Sequence, residues 1–289
     1  MHNIKTFLKL IRIKHWVKNA VCFVPLIFSL NFTNPALSFK AAAVFFAFCL
    51  VSSAVYIFND IFDIKEDRLS FEKSKRPVAS GQISVIAACF TLALFLLAGL
   101  FVSAVINPLC LLISGLYIVL NIFYTVRLKN FEIIDAFCIA LGFILRILAG
   151  CAAIAVLPSP LVILLTFFVS MFFTFSKRRL EFIKEDVNKR KSARNFNIET
   201  LNQFVCANAA LSVAFYFAYM LDPLAIERAG SEYLYITAIP FTLIIFRLLF
   251  LANTSSFSDP AEFLYRDKPV QILFLLYFIT LFAVLVFRS

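Results

Sequence analysis

Residues 37–68 read LSFKAAAVFFAFCLVSSAVYIFNDIFDIKEDR. From 37 to 59 the only charge is Lys40, and the run then ends abruptly in acids. A helix rises about 1.5 Å per residue, so such a run crosses the roughly 30 Å hydrocarbon layer of a bilayer. Eight further apolar runs flank it, at 17–33, 84–105, 108–126, 134–155, 160–176, 200–221, 234–251 and 270–287. They are continuous rather than alternating, which excludes a barrel and predicts an all-α membrane protein of nine spans. Asn34-Pro35, Asn107-Pro108, Pro158-Ser159-Pro160 and Asp222-Pro223 mark breaks between runs.

Composition agrees. Of 289 residues, 62% are hydrophobic and 15% charged, and mean hydropathy is +0.91. A soluble domain carries about 25% charge. In a soluble chain the net charge of +10 would raise a nucleic-acid partner. Here the membrane is the partner and no nucleic acid is expected, because the bases sort by side. Of 27 Lys and Arg, 22 fall in the N-terminal arm and in the loops after runs 2, 4, 6 and 8. The positive-inside rule then puts the N-terminus in the cytoplasm. The chain reads as one transmembrane domain, with residues 1–16 as an amphipathic interfacial helix anchored by Trp16. Loops 64–83 and 177–199 would lie over a cytoplasm-facing polar cavity. The seven cysteines are dispersed in apolar runs with no C-x-x-C pair, which excludes a disulfide framework and a zinc site.

The acids at the end of the quoted run carry the chemistry. Asp60, Asp63 and Asp67 stand at i, i+3 and i+7, within about 60° on a helix. Three carboxylates on one face repel unless a cation lies among them. Such oxygen donors suit Mg²⁺ shared with substrate phosphates. Lys73, Lys75 and Arg76 follow at once, then Pro77 and Gly81. Acids followed by bases form a metal-diphosphate pattern. Asp135, Gly142 and Arg146 share a second helix face, with Arg146 deep in its run and facing a polar cavity. Lys177, Arg178 and Arg179 close the cytoplasmic side.

Asn59-Asp60-x-x-Asp63-x-x-x-Asp67 resembles the first aspartate motif of the UbiA-type intramembrane prenyltransferase superfamily. The second aspartate motif of common members is thin here, reduced to Asp135 after Tyr124 and Lys129. With Arg12-x-x-x-Trp16-x-Lys18-Asn19, Asp67-Arg68 and Lys75-Arg76-Pro77, the chain looks like the polyprenyl-phosphate phosphoribosyltransferase branch, of the decaprenyl-phosphate type.

That resemblance implies Mg²⁺-dependent transfer of 5-phosphoribose from 5-phosphoribosyl 1-diphosphate to a polyprenyl phosphate, with release of diphosphate. Asp60, Asp63 and Asp67 would hold the metal and, with Asp135, form the catalytic set. Asn59, Arg68, Lys73, Lys75 and Arg76 would bind the donor's phosphates. Lys18, Tyr124, Lys129, Arg146, Lys177 and Arg178 complete the substrate-binding set, with Lys18, Lys129 and Arg146 on the lipid phosphate. The oligomeric state stays open, a homo-oligomer included. The runner-up is an aromatic prenyltransferase of quinone or haem lipids, with a prenyl diphosphate as donor. A transporter is weaker, because the acids crowd one membrane face.

Overall fold

The computed structural model describes residues 2–71, 73–183, 196–254 and 263–286. Every regular element among them is helical. Eight stretches are long and apolar enough to cross a membrane. Six are single helices: α3 (Pro35–Phe62), α5 (Val85–Ile106), α6 (Pro108–Val126), α7 (Glu132–Ile154), α8 (Pro160–Ile183) and α9 (Ile198–Met220). The other two are Glu232–Thr254, which ends in α11 (Ala238–Thr254), and α13 (Lys268–Val286). Short helices α1 (His2–Leu10), α2 (Val24–Phe28), α4 (Ile64–Leu69), α10 (Pro223–Ala229) and α12 (Phe263–Arg266) fill the connections.

The breaks expected from the sequence are helix starts. Asn34 accepts from the backbone N–H of Ala36 at 3.0 Å, Asn107 from Cys110 at 2.7 Å and Asp222 from Leu224 at 2.9 Å. Each is followed by a proline in the first helical turn, whose missing N–H costs nothing there.

The ninth span departs from expectation. Residues 17–33 form no long helix. A 3-10 segment runs over Ile13–Phe23, α2 follows, and Leu30 turns left-handed at φ 57°. The cause is tertiary. Trp16 and Asn19 hydrogen-bond side chains of α3, which holds the segment in the tighter winding. The indole N–H of half-buried Trp16 goes to Ser53 at 3.0 Å. The expected loops also shrink. Residues 177–183 continue α8, α9 starts at Ile198, and residues 184–195 lie outside the described residues. Within 64–83, α4 and a 3-10 turn at Lys73–Lys75 are ordered, and Gly81 closes the turn at φ 75°, a conformation that glycine adopts without strain.

The chain forms two compact units, residues 1–129 with 145–158 and residues 130–144 with 159–289. The core of the first gathers Cys22, Val44, Phe48, Val51, Cys110, Tyr117 and Ala149. The core of the second gathers Phe172, Phe175, Leu201, Val205, Ile244 and Leu248. Outward faces are apolar as well. Phe90 and Phe101 on α5 and Phe282 on α13 are each at least 70% exposed, as lipid-facing side chains are. Small residues let helices approach. A Cβ on Gly99 of α5 would meet Val51 of α3 at 2.7 Å.

Gly150 of α7 is tighter still, since a Cβ there would meet the carbonyl oxygen of Cys22 at 2.3 Å. Gly150→Ala is therefore expected to destabilise the purified protein by about 1–3 kcal/mol. A thermal midpoint in detergent equal to that of the parent would show that the backbones part freely.

Candidate functional site

The acidic end of α3 lies in the first unit, where three aspartates meet three cations. α3 stops at Phe62, Asp63 leaves helical geometry at φ −91°, ψ 11°, and α4 begins at Ile64. That break alters the expected arrangement. Asp60 and Asp67 are bridged by Arg76, which donates to Asp60 Oδ1 at 3.1 Å and to Asp67 Oδ2 at 2.7 Å. Asp63 accepts instead from Lys129 Nζ, at 2.5 and 2.7 Å on its two oxygens. Arg12 makes a further ion pair with Asp60. Asp60 and Asp67 are each only 2% exposed, so this charge sits where water screens it little. Burial pushes the Asp67 carboxyl above its ordinary pKa, against the lowering pull of Arg76 and of the more distant Lys73.

The flanking bases divide by role. Arg68 Nε donates to the Ala79 carbonyl at 3.1 Å and braces the turn before Gly81. Exposed Lys75 lies 4.5 Å from the Phe71 ring centroid. Lys73 is half-buried beside Asp67. Lys18 and Tyr124 are half-buried in the same unit.

The oxygen donors fit a Mg²⁺ ion in part. Among the described residues no three His, Cys, Asp or Glu side chains converge as a metal cluster. Asp60 and Asp67 share Arg76, whereas Asp63, past the break, accepts from Lys129. One or two carboxylates plus substrate phosphates are what Mg²⁺ ordinarily takes. Next to Asp60, the buried Asn59 Oδ1 accepts no hydrogen bond, an oxygen left over for a donor or a cation.

A second polar group lies deeper in the same unit. Arg146, 5% exposed, donates from Nε to Asn19 Oδ1 at 2.7 Å and from an amino nitrogen to Tyr117 Oη at 2.9 Å. Asn19 passes the connection on to Ser52 of α3 at 3.1 Å. Cys49, Ser52, Ser53, Tyr56 and Asp60 follow each other at helical spacing. They form a polar stripe along α3 that ends at the aspartates.

In the second unit, Asp135 in the first turn of α7 accepts from Arg178 Nε at 3.0 Å and from a terminal nitrogen at 2.5 Å. Arg178 also donates to Glu181 at 2.8 Å. Arg179 donates to Asn202 at 2.6 Å and to the Ala252 carbonyl near the end of α11 at 2.8 Å, a C-terminal cap. Lys177 is half-buried on the same helix.

From the sequence, Arg12 enters only within the branch resemblance and is given no place in the site. The available signal was its spacing to Trp16 and Asn19, one side chain per turn on the face that meets α3.

Comparison with known proteins is consistent with this geometry. Decaprenyl-phosphate phosphoribosyltransferase of Corynebacterium glutamicum is 30% identical over 274 residues, covering 92% of this chain and 82% of that protein. The enzyme of the same name from Mycolicibacterium smegmatis is 26% identical over 293 residues, covering 97% and 92%. A solved UbiA homologue from Archaeoglobus fulgidus, bound to DMAPP and Mg²⁺, aligns with a TM-score of 0.72 at 20% identity, covering 98% of this chain and 99% of that one. At that identity the likeness is one of fold. The UbiA prenyltransferase family model matches residues 21–286, nearly the whole chain, and the protein belongs to that family.

Proposed function

We propose that the protein transfers 5-phosphoribose from 5-phosphoribosyl 1-diphosphate to a polyprenyl phosphate, at the cytoplasmic face of a bacterial inner membrane, and releases diphosphate. The observation that carries this reading is the set of Asp60, Asp63 and Asp67 matched by Arg12, Arg76 and Lys129 at the end of one spanning helix. Near-full-length likeness to two decaprenyl-phosphate phosphoribosyltransferases supports the choice of donor and acceptor.

In the reaction the bond from ribose C1 to the diphosphate oxygen breaks, and a bond from a lipid-phosphate oxygen to C1 forms. Asp60 and Asp67, with Asp63 beside them, would hold Mg²⁺, which when bound would neutralise charge on the departing diphosphate. Arg76 and Lys73 bind its outer oxygens, and the Arg76 fork suits two of them at once. Lys129 and Asp63 act as a pair that orients the incoming phosphate. That acceptor is already an anion near neutral pH, so no strong base is required. Attack opposite the leaving group inverts C1, from an α donor to a β product. Asp135 and Arg178 enter as a pair, the carboxylate fixing the guanidinium. Arg146 holds the Asn19 segment against α3 and keeps a positive field at the inner end of the polar stripe.

The test uses purified protein in detergent with Mg²⁺, labelled phosphoribosyl diphosphate and a polyprenyl phosphate. Label is expected in the organic phase, with loss of transfer on chelation or in Asp63→Asn. Transfer instead from a prenyl diphosphate to an aromatic acid would replace this reading with that of an aromatic prenyltransferase.

A further inference from the structure

Arg12 stands apart from the other bases of the aspartate cluster. Its backbone is left-handed at φ 51°, at the joint between α1 and the 3-10 segment. A non-glycine residue holds that conformation only where surrounding contacts impose it. The contacts are present. Ser53 Oγ donates to the Ile11 carbonyl at 2.7 Å and accepts from Trp16 Nε1 at 3.0 Å. Asn19 adds its bond to Ser52 at 3.1 Å. Leu10 and Ile11, at 0% and 4% exposed, lock the preceding turn. The segment thus holds one guanidinium against Asp60 and 4.7 Å from the Tyr56 ring centroid. The Arg12 side chain nevertheless keeps 17% of its surface open, against 2% for Asp60.

Asp60 Oδ1 serves both Arg12 and Arg76. Arg76 has a second carboxylate in Asp67, whereas the ion pair of Arg12 is with Asp60. A divalent cation arriving at Asp60 would meet the Arg12 charge at close range and compete with it for the same oxygen. Once displaced, the guanidinium needs an anion, and a diphosphate carried in with the cation is one. We propose that Arg12 is an exchangeable counter-ion of the donor site, which occupies Asp60 in the free protein and passes to the diphosphate when the divalent cation binds. The inference rests on the metal-diphosphate reading above and adds a consequence to it. Cation and diphosphate must bind with positive coupling, and the coupling is reciprocal.

Trp16 is the only tryptophan in the chain and shares Ser53 with the backbone beside Arg12, so its fluorescence reports on this joint. The experiment titrates the purified full chain with magnesium chloride alone, with inorganic diphosphate alone, and with each in the presence of the other. Trp16 emission and calorimetry give the affinities. In the parent protein, diphosphate is expected to raise Mg²⁺ affinity by about 10-fold or more, within the usual range of coupling between sites. Arg12→Gln should move the two affinities in opposite directions. Mg²⁺ alone should bind about 3–10-fold tighter, because a competing cation is gone, and diphosphate with Mg²⁺ about 10-fold weaker. Arg12→Lys, which keeps the charge and loses the fork, should leave Mg²⁺ affinity near that of the parent and still weaken diphosphate. A purely structural role would lower both affinities together or neither. Unchanged coupling in folded Arg12→Gln, with normal transfer, would overturn this inference and leave the proposed function standing. If Arg12→Gln does not fold, unchanged diphosphate affinity in Arg12→Lys overturns it equally. A parent protein that binds no diphosphate in the presence of Mg²⁺ would sink both readings.

Discussion

Asp60→Asn is expected to lower the rate of phosphoribosyl transfer by about 10²–10³-fold or more, the scale on which loss of one preorganised charge-stabilising group is felt. The carboxylate is 2% exposed and is shared by Arg12 and Arg76. Asparagine keeps its shape and removes its charge. Two guanidiniums then face a neutral amide, and the site repels the cation it should attract. Arg76 retains Asp67 at 2.7 Å, so the turn from α4 to Gly81 should stay folded. The check is turnover at saturating Mg²⁺ alongside the thermal midpoint in detergent. A large fall in rate with a midpoint shifted by only a few degrees places Asp60 in the chemistry. Turnover close to that of the parent would make it a brace for the N-terminal arm and nothing more.

The second large effect concerns stability. Arg178→Leu leaves Asp135, 2% exposed, without the guanidinium that neutralises it, and removes a donor from Glu181. Stranding one member of a buried pair costs about 3–5 kcal/mol, whereas replacing both members by apolar groups is often close to neutral. Arg178→Leu and Asp135→Leu should each lower the midpoint strongly, and the double variant should recover most of it. Two single variants that melt like the parent but have lost transfer would instead assign the pair to substrate binding.

Much of this fold could be read from residue order alone. Asn34-Pro35, Asn107-Pro108 and Asp222-Pro223 announce helix starts because cap and proline are local devices, complete within four residues. The aspartate motif was equally legible, since its spacing and its basic neighbours are contiguous. What escaped depends on distant partners. Nothing between 16 and 33 says that Asn19 will bond Ser52 and Trp16 will bond Ser53, so an apolar run was read as one helix where the chain winds as 3-10 and α segments. The turn of Asp63 toward Lys129 crosses 66 positions and is invisible to helical periodicity. Arg12 was given no place in the site, because a left-handed residue breaks the helix phase just there.

The two buried arginine networks also bear on how the chain is made. Ribosomes add about 5–20 residues per second, and domains upstream settle first. Arg146 emerges 29 positions after Tyr117 and 127 after Asn19, so these two partners are already synthesised when it enters the lipid. Asp135 comes 43 positions before Arg178 and must wait about 2–9 s for it at that speed. Bare charge is most costly at the bilayer centre and least at its edge. The residue that waits lies in the first turn of α7, and the one that need not wait lies eleven positions deeper. The order of synthesis thus brings Arg146 to partners that already stand in the chain.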